Sequence, residues 1–275
     1  MTLSLDHVVI RVRDLEQTIA DYSELGFTVQ RGGTHADGAT HNALIGFEDG
    51  SYFELIAFLR DAPEHRWWDV ADQAGDGLVD FALLPESVKT VVDAARQRGL
   101  NYAGPIDGGR VRPDGARLAW QLGRPATSDL PFLCGDATPR HLRVAEGEVR
   151  THRNGVHDVS GINIAVRDLE ASIGRYRALL GEPLQIHRTA LPGHGVSLAT
   201  LSIGTNTATL LSPSGNANGT LPNRPEAKHA RRPRPAHRAF NVQLTLLAAV
   251  TAPCAPVRAP GSPPVWCNSP TMVYG

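Results

Sequence analysis

The chain has 275 residues, of which 41% are hydrophobic and 20% charged, and its 27 Lys and Arg nearly balance 28 Asp and Glu. This composition excludes a wholly disordered chain, and the length predicts one or two globular domains. Three cysteines are too few for a disulfide framework, so we expect a reducing compartment. Because charges at Asp6 and Arg11 interrupt the N-terminal apolar residues, and no apolar stretch approaches the roughly 20 residues of a spanning helix, we expect a cytoplasmic protein that does not bind membranes.

The first predicted elements are a strand and a helix, and this pair occurs twice. Residues 6–25 and 160–179 are identical at nine of twenty aligned positions, which indicates an internal repeat. In each copy an alternating apolar strand runs into an aspartate, Asp14 or Asp168. An aspartate just before apolar residues at helical spacing is typical of a helix N-cap.

The remaining elements predict a β-α-β-β-β module that is repeated along the chain. In the first module, strands are predicted at 27–30, 42–47 and 52–58. In the second, a strand is predicted at 78–84, a helix at 88–98, and strands at 102–106, 117–122 and 131–134. The modules (about 1–60 and 76–140) form one expected domain, residues 1–140, followed by a linker at 141–156. Residues 157–213 are expected to be the third module of an incomplete second domain.

The last 62 residues differ from the rest of the chain. Residues 214–275 hold seven Lys and Arg against one Glu and contain 10 of the 20 prolines. Such a basic, proline-rich segment is predicted to be a solvated, disordered extension or the product of a reading-frame change, and only 240–250 is expected to fold. Its lack of aromatic interleaving argues against nucleic-acid binding.

The motifs of the first module resemble the vicinal oxygen chelate superfamily, and most closely its glyoxalase-like branch. They are Leu5-Asp6-His7-Val8-Val9-Ile10-Arg11-Val12-Arg13-Asp14-Leu15, the Gly-rich turn at 32–42, and Tyr52-Phe53-Glu54-Leu55-Ile56. The resemblance implies an α+β fold in which tandem βαβββ modules form cupped mixed sheets. It does not fix the reaction, because one scaffold hosts many chemistries.

The resemblance also implies a metal ion inside the cup, held by the first and last strands of each module. His7 and Glu54 match these positions in the first module. In the second, Asp80 matches the first position, but only Cys134 is near the last. The third module has Gly161 and Thr209 there, and so offers no second site. The implied cofactor is one divalent ion, Zn, Mn, Ni or Fe.

Two further histidines, His35 and His41, lie in or beside the Gly-rich turn. Turn chemistry and a role in the site are both open for them. We prefer His41, because it begins the third strand, and expect it to complete a two-His, one-carboxylate set with His7 and Glu54. For Glu54 itself, a buried salt bridge is the competing interpretation.

The paired arginines of the turn at 108–115 suit an anionic group of a ligand. Arg112, Trp120 and Gln121 are therefore the predicted substrate-binding residues, although a solvated hairpin is an alternative. We expect a protein that binds a small oxygenated molecule in the cup, with Glu54 as a catalytic group of lyase, isomerase or dioxygenase chemistry. The alternative is a metal-free binding or resistance-type module, and assembly as a homodimer is a further expectation.

Overall fold

The computed structural model describes residues 3–68, 76–214, 248–250 and 271–272. Among these, no helix is both long and apolar enough to cross a bilayer. The predicted folding of 240–247, and most of the predicted extension at 214–275, lie outside the described residues.

The first module consists of four strands and one helix. They are β1 (Ser4–Arg11), α1 (Leu15–Glu24), β2 (Gln30–His35), β3 (Thr40–Gly46) and β4 (Tyr52–Phe58). Asp14 caps α1 by accepting a hydrogen bond from the backbone N–H of Gln17, as the sequence predicts. The expected strand at 27–30 instead begins at Gln30, because Phe27 is buried in the core and the N–H of Thr28 donates to His152.

The second module repeats this order. It contains β5 (Gly77–Leu84), α2 (Val88–Gln97), β6 (Tyr102–Val111), β7 (Arg117–Pro125) and β8 (Phe132–Asp136). Strand β6 extends beyond its predicted end at 106 and runs through the Gly108-Gly109 pair. The sequence analysis assigned that pair to a turn because glycine is common in turns. Inside the sheet, a Cβ on Gly108 would lie 2.5 Å from the indole nitrogen of Trp120, and a Cβ on Gly109 would lie 2.5 Å from the carbonyl oxygen of Leu118.

The two modules close into one eight-stranded barrel with the order β1-β4-β3-β2-β6-β7-β8-β5. Within each module the first and last strands are parallel neighbours. The modules join where β1 pairs antiparallel with β5 and where β2 pairs antiparallel with β6. The fold is therefore α+β with curled sheets of tandem βαβββ modules, and the barrel surrounds an interior that both modules line.

A β-bulge in β1 sets which side chains face that interior. The pairing with β5 shifts between Leu5 and His7, so the simple alternation that the sequence predicts does not hold. Leu5 packs in the outer core with Val8, rather than on the face of His7. A bulge adds a residue to one strand and redirects its neighbours, and it leaves Asp6 and His7 both buried at the inner end of β1.

The segment after β8, predicted to be a linker, packs against the barrel. It contains a short helix, α3 (Arg140–Arg143), and a 3-10 turn (Gly147–Arg150). Arg143 and His152 are buried, and His152 accepts a hydrogen bond from the N–H of Thr28 at 3.0 Å. The segment therefore belongs physically to the barrel wall.

The third module forms a second sheet. It comprises β9 (Gly161–Ala165), α4 (Leu169–Leu180), β10 (Ile186–Leu191), β11 (Val196–Ile203) and β12 (Asn206–Pro213), with the short strands β13 (Ala248–Val250) and β14 (Thr271–Met272). The sheet order is β10-β11-β12-β9-β13-β14. Strand β13 pairs antiparallel with β9, which is the place that β5 takes beside β1 in the barrel.

The helices of the two sheets pack together over one hydrophobic core. Tyr102 and Tyr176 are among its largest fully buried side chains. Arg98 at the end of α2 donates to the backbone carbonyls of Ala178 and Leu179 at 2.6 and 3.0 Å. Because carbonyls at a helix end have no helical partner, this contact satisfies the end of α4.

Candidate functional site

The barrel interior contains a cavity of about 190 Å³. One part of its wall is polar and carries three residues of the first module, His7, His35 and Glu54. The other part is aromatic, with Trp67, Trp120 and Phe132. A concave site with a few convergent polar groups in an apolar surround is the usual form of a small-molecule site.

Glu54 lies at the centre of the polar part. Its Oε2 is 3.3 Å from Nε2 of His7, and its Oε1 is 3.4 Å from Nε2 of His35. Oε1 also accepts a hydrogen bond of 2.6 Å from the amide Nδ2 of Asn42. Each carboxylate oxygen therefore faces one imidazole, and the strands β1, β2, β3 and β4 all contribute to holding it.

The surroundings of Glu54 favour its ionised form. Burial alone would raise the pKa of this carboxyl, but the hydrogen bonds with His35 and His7 outweigh it and hold the pKa well below its usual range. A buried carboxylate persists only when such partners neutralise it. Glu54 is therefore a desolvated anion that faces a cavity.

His7 is fixed on both sides of its ring. Its Nδ1 lies 2.7 Å from Oδ2 of Asp6, and the ring stacks on Tyr52 at 4.6 Å between centroids. Burial would lower the pKa of His7, but hydrogen bonds to Asp6 and Glu54 raise it. A carboxylate on one nitrogen orients the other, so Nε2 points at Glu54.

His35 is held in the same manner by a hydroxyl group. Its Nδ1 is 2.7 Å from Oγ1 of Thr40, and its ring meets Trp120 edge-on at 6.0 Å between centroids. The sequence leaves a role in the site open for His35 and favours His41. The structure brings His35, and not His41, beside His7 and Glu54.

His41 lies on the other face of β3. Thr40 and Asn42 line the cavity, whereas Ala43 and Ile45 belong to the core between sheet and helices. Since side chains alternate along a strand, His41 shares the outer face with Ala43. The structure therefore does not bring His41 to the cavity beside His7 and Glu54, and the amide of Asn42 occupies the inward position.

The base of the cavity is formed by an ion-pair network that the sequence analysis missed. Arg143 donates to Asp6 through Nη1 and Nη2 at 2.9 and 3.1 Å, and to the hydroxyl of Tyr52 at 2.6 Å. It also contacts Asp136, and Arg140 donates to Asp6 at 2.6 Å. No local signal marks Arg143, because it lies in the segment predicted to be a linker.

The second module contributes no free ligand at the two positions matched by resemblance. Asp80 accepts from Arg66 at 2.6 Å, from the indole of Trp67 at 3.0 Å and from the N–H of Phe81 at 2.9 Å. Burial raises the pKa of the Cys134 thiol, which disfavours the thiolate that a metal would bind.

These contacts test whether a divalent ion fits. Both oxygens of Glu54 are already engaged, Asp80 is paired, His41 faces outward and Cys134 is a buried thiol. Within the ranges that the structure describes, no group of three or more His, Cys, Asp or Glu side chains is arranged to hold a metal ion. The residues at the four matched positions therefore do not fit the ion that the resemblance implies.

Of the three predicted substrate-binding residues, only one lines the cavity. Trp120 lines the cavity, but Arg112 and Gln121 do not. Arg112 lies in the turn after β6 and pairs with Asp114 at 2.9 Å. Two residues earlier, Arg110 is buried and lines the cavity. The arginine of this segment that faces the cavity is therefore Arg110 and not Arg112.

Comparison with protein families identifies one match. The family model described as "Glyoxalase-like domain" covers residues 5–180, and no curated protein matches the chain.

The chain is similar to solved structures at low sequence identity. A hypothetical protein from Staphylococcus aureus is 14% identical, with a TM-score of 0.61 over 78% of this chain and 86% of its own. A mutant of 4-hydroxymandelate synthase from Streptomyces coelicolor is 16% identical, with a TM-score of 0.52 over 77% of this chain and 63% of its own. Methylmalonyl-CoA epimerase from Mycobacterium tuberculosis is 22% identical, with a TM-score of 0.38 over 49% and 88%. At these identities the first two likenesses bear on the fold alone.

Proposed function

The chain belongs to the glyoxalase-like domain family, and on that premise we propose that it is an enzyme that transfers a proton on a small oxygenated molecule bound in the barrel cavity. The observation that carries the proposal is the placement of His7 and His35 on the two oxygens of Glu54, at 3.3 and 3.4 Å, inside a cavity. Glu54 is the proposed base, and the reaction is of isomerase or lyase type.

The surroundings of Glu54 suit this role. A carboxylate that is ionised, desolvated and held by fixed hydrogen bonds can accept a proton from a carbon next to a carbonyl group. Its lowered pKa makes it a weak base at rest. A ligand that displaces the imidazole of His35 from Oε1 would remove one stabilising contact and raise the pKa of Glu54 towards the working pH.

The two histidines have different proposed tasks. His7, whose pKa is raised, stays beside Oε2 and balances the charge of the carboxylate. His35 lies nearer the open part of the site, and its Nε2–H can donate to a substrate oxygen on which negative charge develops. Neither task requires a further group.

Hydrogen exchange with the solvent tests this proposal without knowledge of the natural substrate. Hydroxyacetone and pyruvate would be incubated in D2O with the protein, and deuterium entering next to the carbonyl would be followed by NMR. We expect exchange above the buffer rate, reduced about 10²- to 10⁴-fold in Glu54→Gln. The matched control is Glu64→Gln, which changes an exposed carboxylate outside the cavity. Equal exchange in wild type and Glu54→Gln would overturn the proposal.

The alternative function is a metal-free binding module. It is favoured by the second module, where Asp80 is committed to Arg66 and Trp67 and so offers no reactive group. In that case ligands would bind in the cavity, and Glu54→Gln would change their affinity. Wild type itself would show no hydrogen exchange above the buffer rate.

A further inference from the structure

Arg110 is a buried cation that has no carboxylate partner in the part of the chain that the structure describes. Arg110 is only 4% exposed, and it lines the cavity. Its Nη2 donates to the backbone carbonyl of Arg143 at 2.7 Å, while its Nε has no hydrogen-bond partner. Burial lowers the pKa of Arg110, although Tyr52 and Glu54 act in the opposite direction.

Two other arginines, Arg124 and Arg143, line the cavity. Arg143 is neutralised by Asp6 at 2.9 Å, and Arg124 is exposed, so that solvent stabilises its charge. Among the described residues, no Asp or Glu forms an ion pair with Arg110. A buried guanidinium that lacks a counter-charge is costly, and an anion supplied by a ligand would remove that cost.

The chain makes room around this side chain with glycines. A Cβ on Gly32 would lie 3.2 Å from Nη1 of Arg110 and 2.0 Å from Oδ1 of Asn42. A Cβ on Gly108 would lie 2.5 Å from the indole nitrogen of Trp120. Gly108 is directly opposite Trp120 in the register of β6 and β7, and Arg110 is two residues farther along β6. Arg110 and Trp120 therefore lie on the same face of the sheet, and both line the cavity.

We propose that Arg110 binds the carboxylate of a small ligand whose planar or apolar body lies against Trp120 and Phe132. This inference rests on the proposed function and names its substrate class. The planar guanidinium matches a carboxylate with two parallel hydrogen bonds. A monoanion is favoured over a phosphate dianion, because one unpaired cation is buried here and the carboxylate of Glu54 lies in the same cavity.

Benzoate and its neutral isostere benzamide test the inference, with inorganic phosphate as a third probe. Binding to the purified full chain would be measured by calorimetry and by the fluorescence of Trp67 and Trp120. We expect wild type to bind benzoate at least tenfold more tightly than benzamide, and Arg110→Gln to lose that preference. The matched control is Arg112→Gln, which removes an arginine two residues away that pairs with Asp114 and should keep the preference.

Each outcome decides the inference. Equal affinity for benzoate and benzamide, binding of neither, or a preference retained in Arg110→Gln would overturn it. Tighter binding of phosphate than of benzoate would indicate a phosphoryl ligand and would overturn the inference that the ligand carries a carboxylate.

Should Arg110→Gln fail to fold, Arg110→Lys keeps the charge without the planar fork, and we expect it to reduce the preference several-fold without abolishing it. A preference unchanged from wild type in Arg110→Lys would also contradict the inference.

The exchange assay separates this inference from the proposed function. Hydroxyacetone carries no charge, so its exchange in wild type and Glu54→Gln tests proton transfer independently of Arg110. One combined outcome would separate the two: exchange depends on Glu54, but benzoate and benzamide bind equally well. That result would support the proposed function and reject only the carboxylate-binding role of Arg110.

Discussion

Arg143 and Asp6 form a buried, two-bonded ion pair although 137 residues separate them in the chain. The pair links the segment after the second module to the first strand of the first module. Because Oδ2 of Asp6 also contacts Nδ1 of His7 at 2.7 Å, the orientation of His7 depends on a residue far outside its own module.

Breaking this pair should destabilise the protein. In Asp6→Asn or Arg143→Met the remaining charge stays buried with fewer partners, so the free energy of unfolding should fall by about 3–5 kcal/mol. Urea unfolding monitored by tryptophan fluorescence measures this. The control is Arg188→Met, which breaks an exposed ion pair with Glu170 and should have a much smaller effect. Strictly additive losses in the double variant Asp6→Asn/Arg143→Met would contradict direct coupling.

The pH dependence of stability should show a decline on the acid side. The pKa values of Asp6 and Glu54 in the folded state lie well below their ordinary values of 3.8 and 4.5. Their contribution to stability is therefore complete above about pH 4.5 and is lost as the pH falls through the folded values. Urea unfolding at a series of pH values measures it, and the decline should be shallower in Glu54→Gln. An unchanged decline in that variant would count against the ionised state of Glu54.

His7 should act in the opposite direction on the alkaline side. Because its pKa is raised above the ordinary 6.5, its contribution is complete below about pH 6.5 and is lost as the pH rises through the folded value. His7→Asn should therefore show a smaller loss of stability between pH 6.5 and 9 than wild type. An equal loss in both proteins would show that other groups produce it.

The two histidines beside the Gly-rich turn should differ in function. His35→Ala removes the proposed donor to the substrate oxygen, so deuterium exchange into hydroxyacetone should fall about 10²- to 10³-fold, the usual cost of losing one such donor. His41→Ala changes a residue of the same type on the outer face and should leave exchange near the wild-type rate. Loss of exchange in His41→Ala alone would reverse the assignment.

Metal content tests the fit of a divalent ion directly. Because the oxygens of Glu54 and Asp80 already have protein partners, we expect well below one equivalent of Zn, Mn, Ni or Fe per chain. Elemental mass spectrometry on protein purified without a metal-affinity column, for wild type and Glu54→Gln, measures it. About one equivalent in wild type that is lost in Glu54→Gln would contradict the expectation and identify Glu54 as a ligand.

Local patterns were sufficient for the modules and for part of the site. Side chains alternate along β4, which puts Tyr52, Glu54 and Ile56 on one face, and this face lines the cavity. Alternation along β3 also predicts the position of Asn42. Because Ala43 and Ile45 are apolar residues suited to the core, Asn42 should lie on the opposite face, towards the cavity.

Other features depend on contacts that no local pattern encodes. The bulge near Asp6 is a matter of pairing between β1 and β5, and the inward position of Arg110 depends on how β6 meets β2. Arg143 acquires its role only when the chain folds back on Asp6. Such register and long-range pairing are set by the whole sheet and not by the residues of one segment.

The placement of residues 140–156 changes what counts as a transferable unit of this chain. Two modules are enough to close the barrel, yet the clamp on Asp6 and the partner of Thr28 come from the stretch that follows them. A gene duplication, fusion or exchange that copied only the two repeated modules would lack Arg143, and with it the ion pair that holds Asp6. The segment of sequence that is needed for the site is therefore longer than the two repeated modules. It ends within residues 140–156, which connect the barrel to the third module.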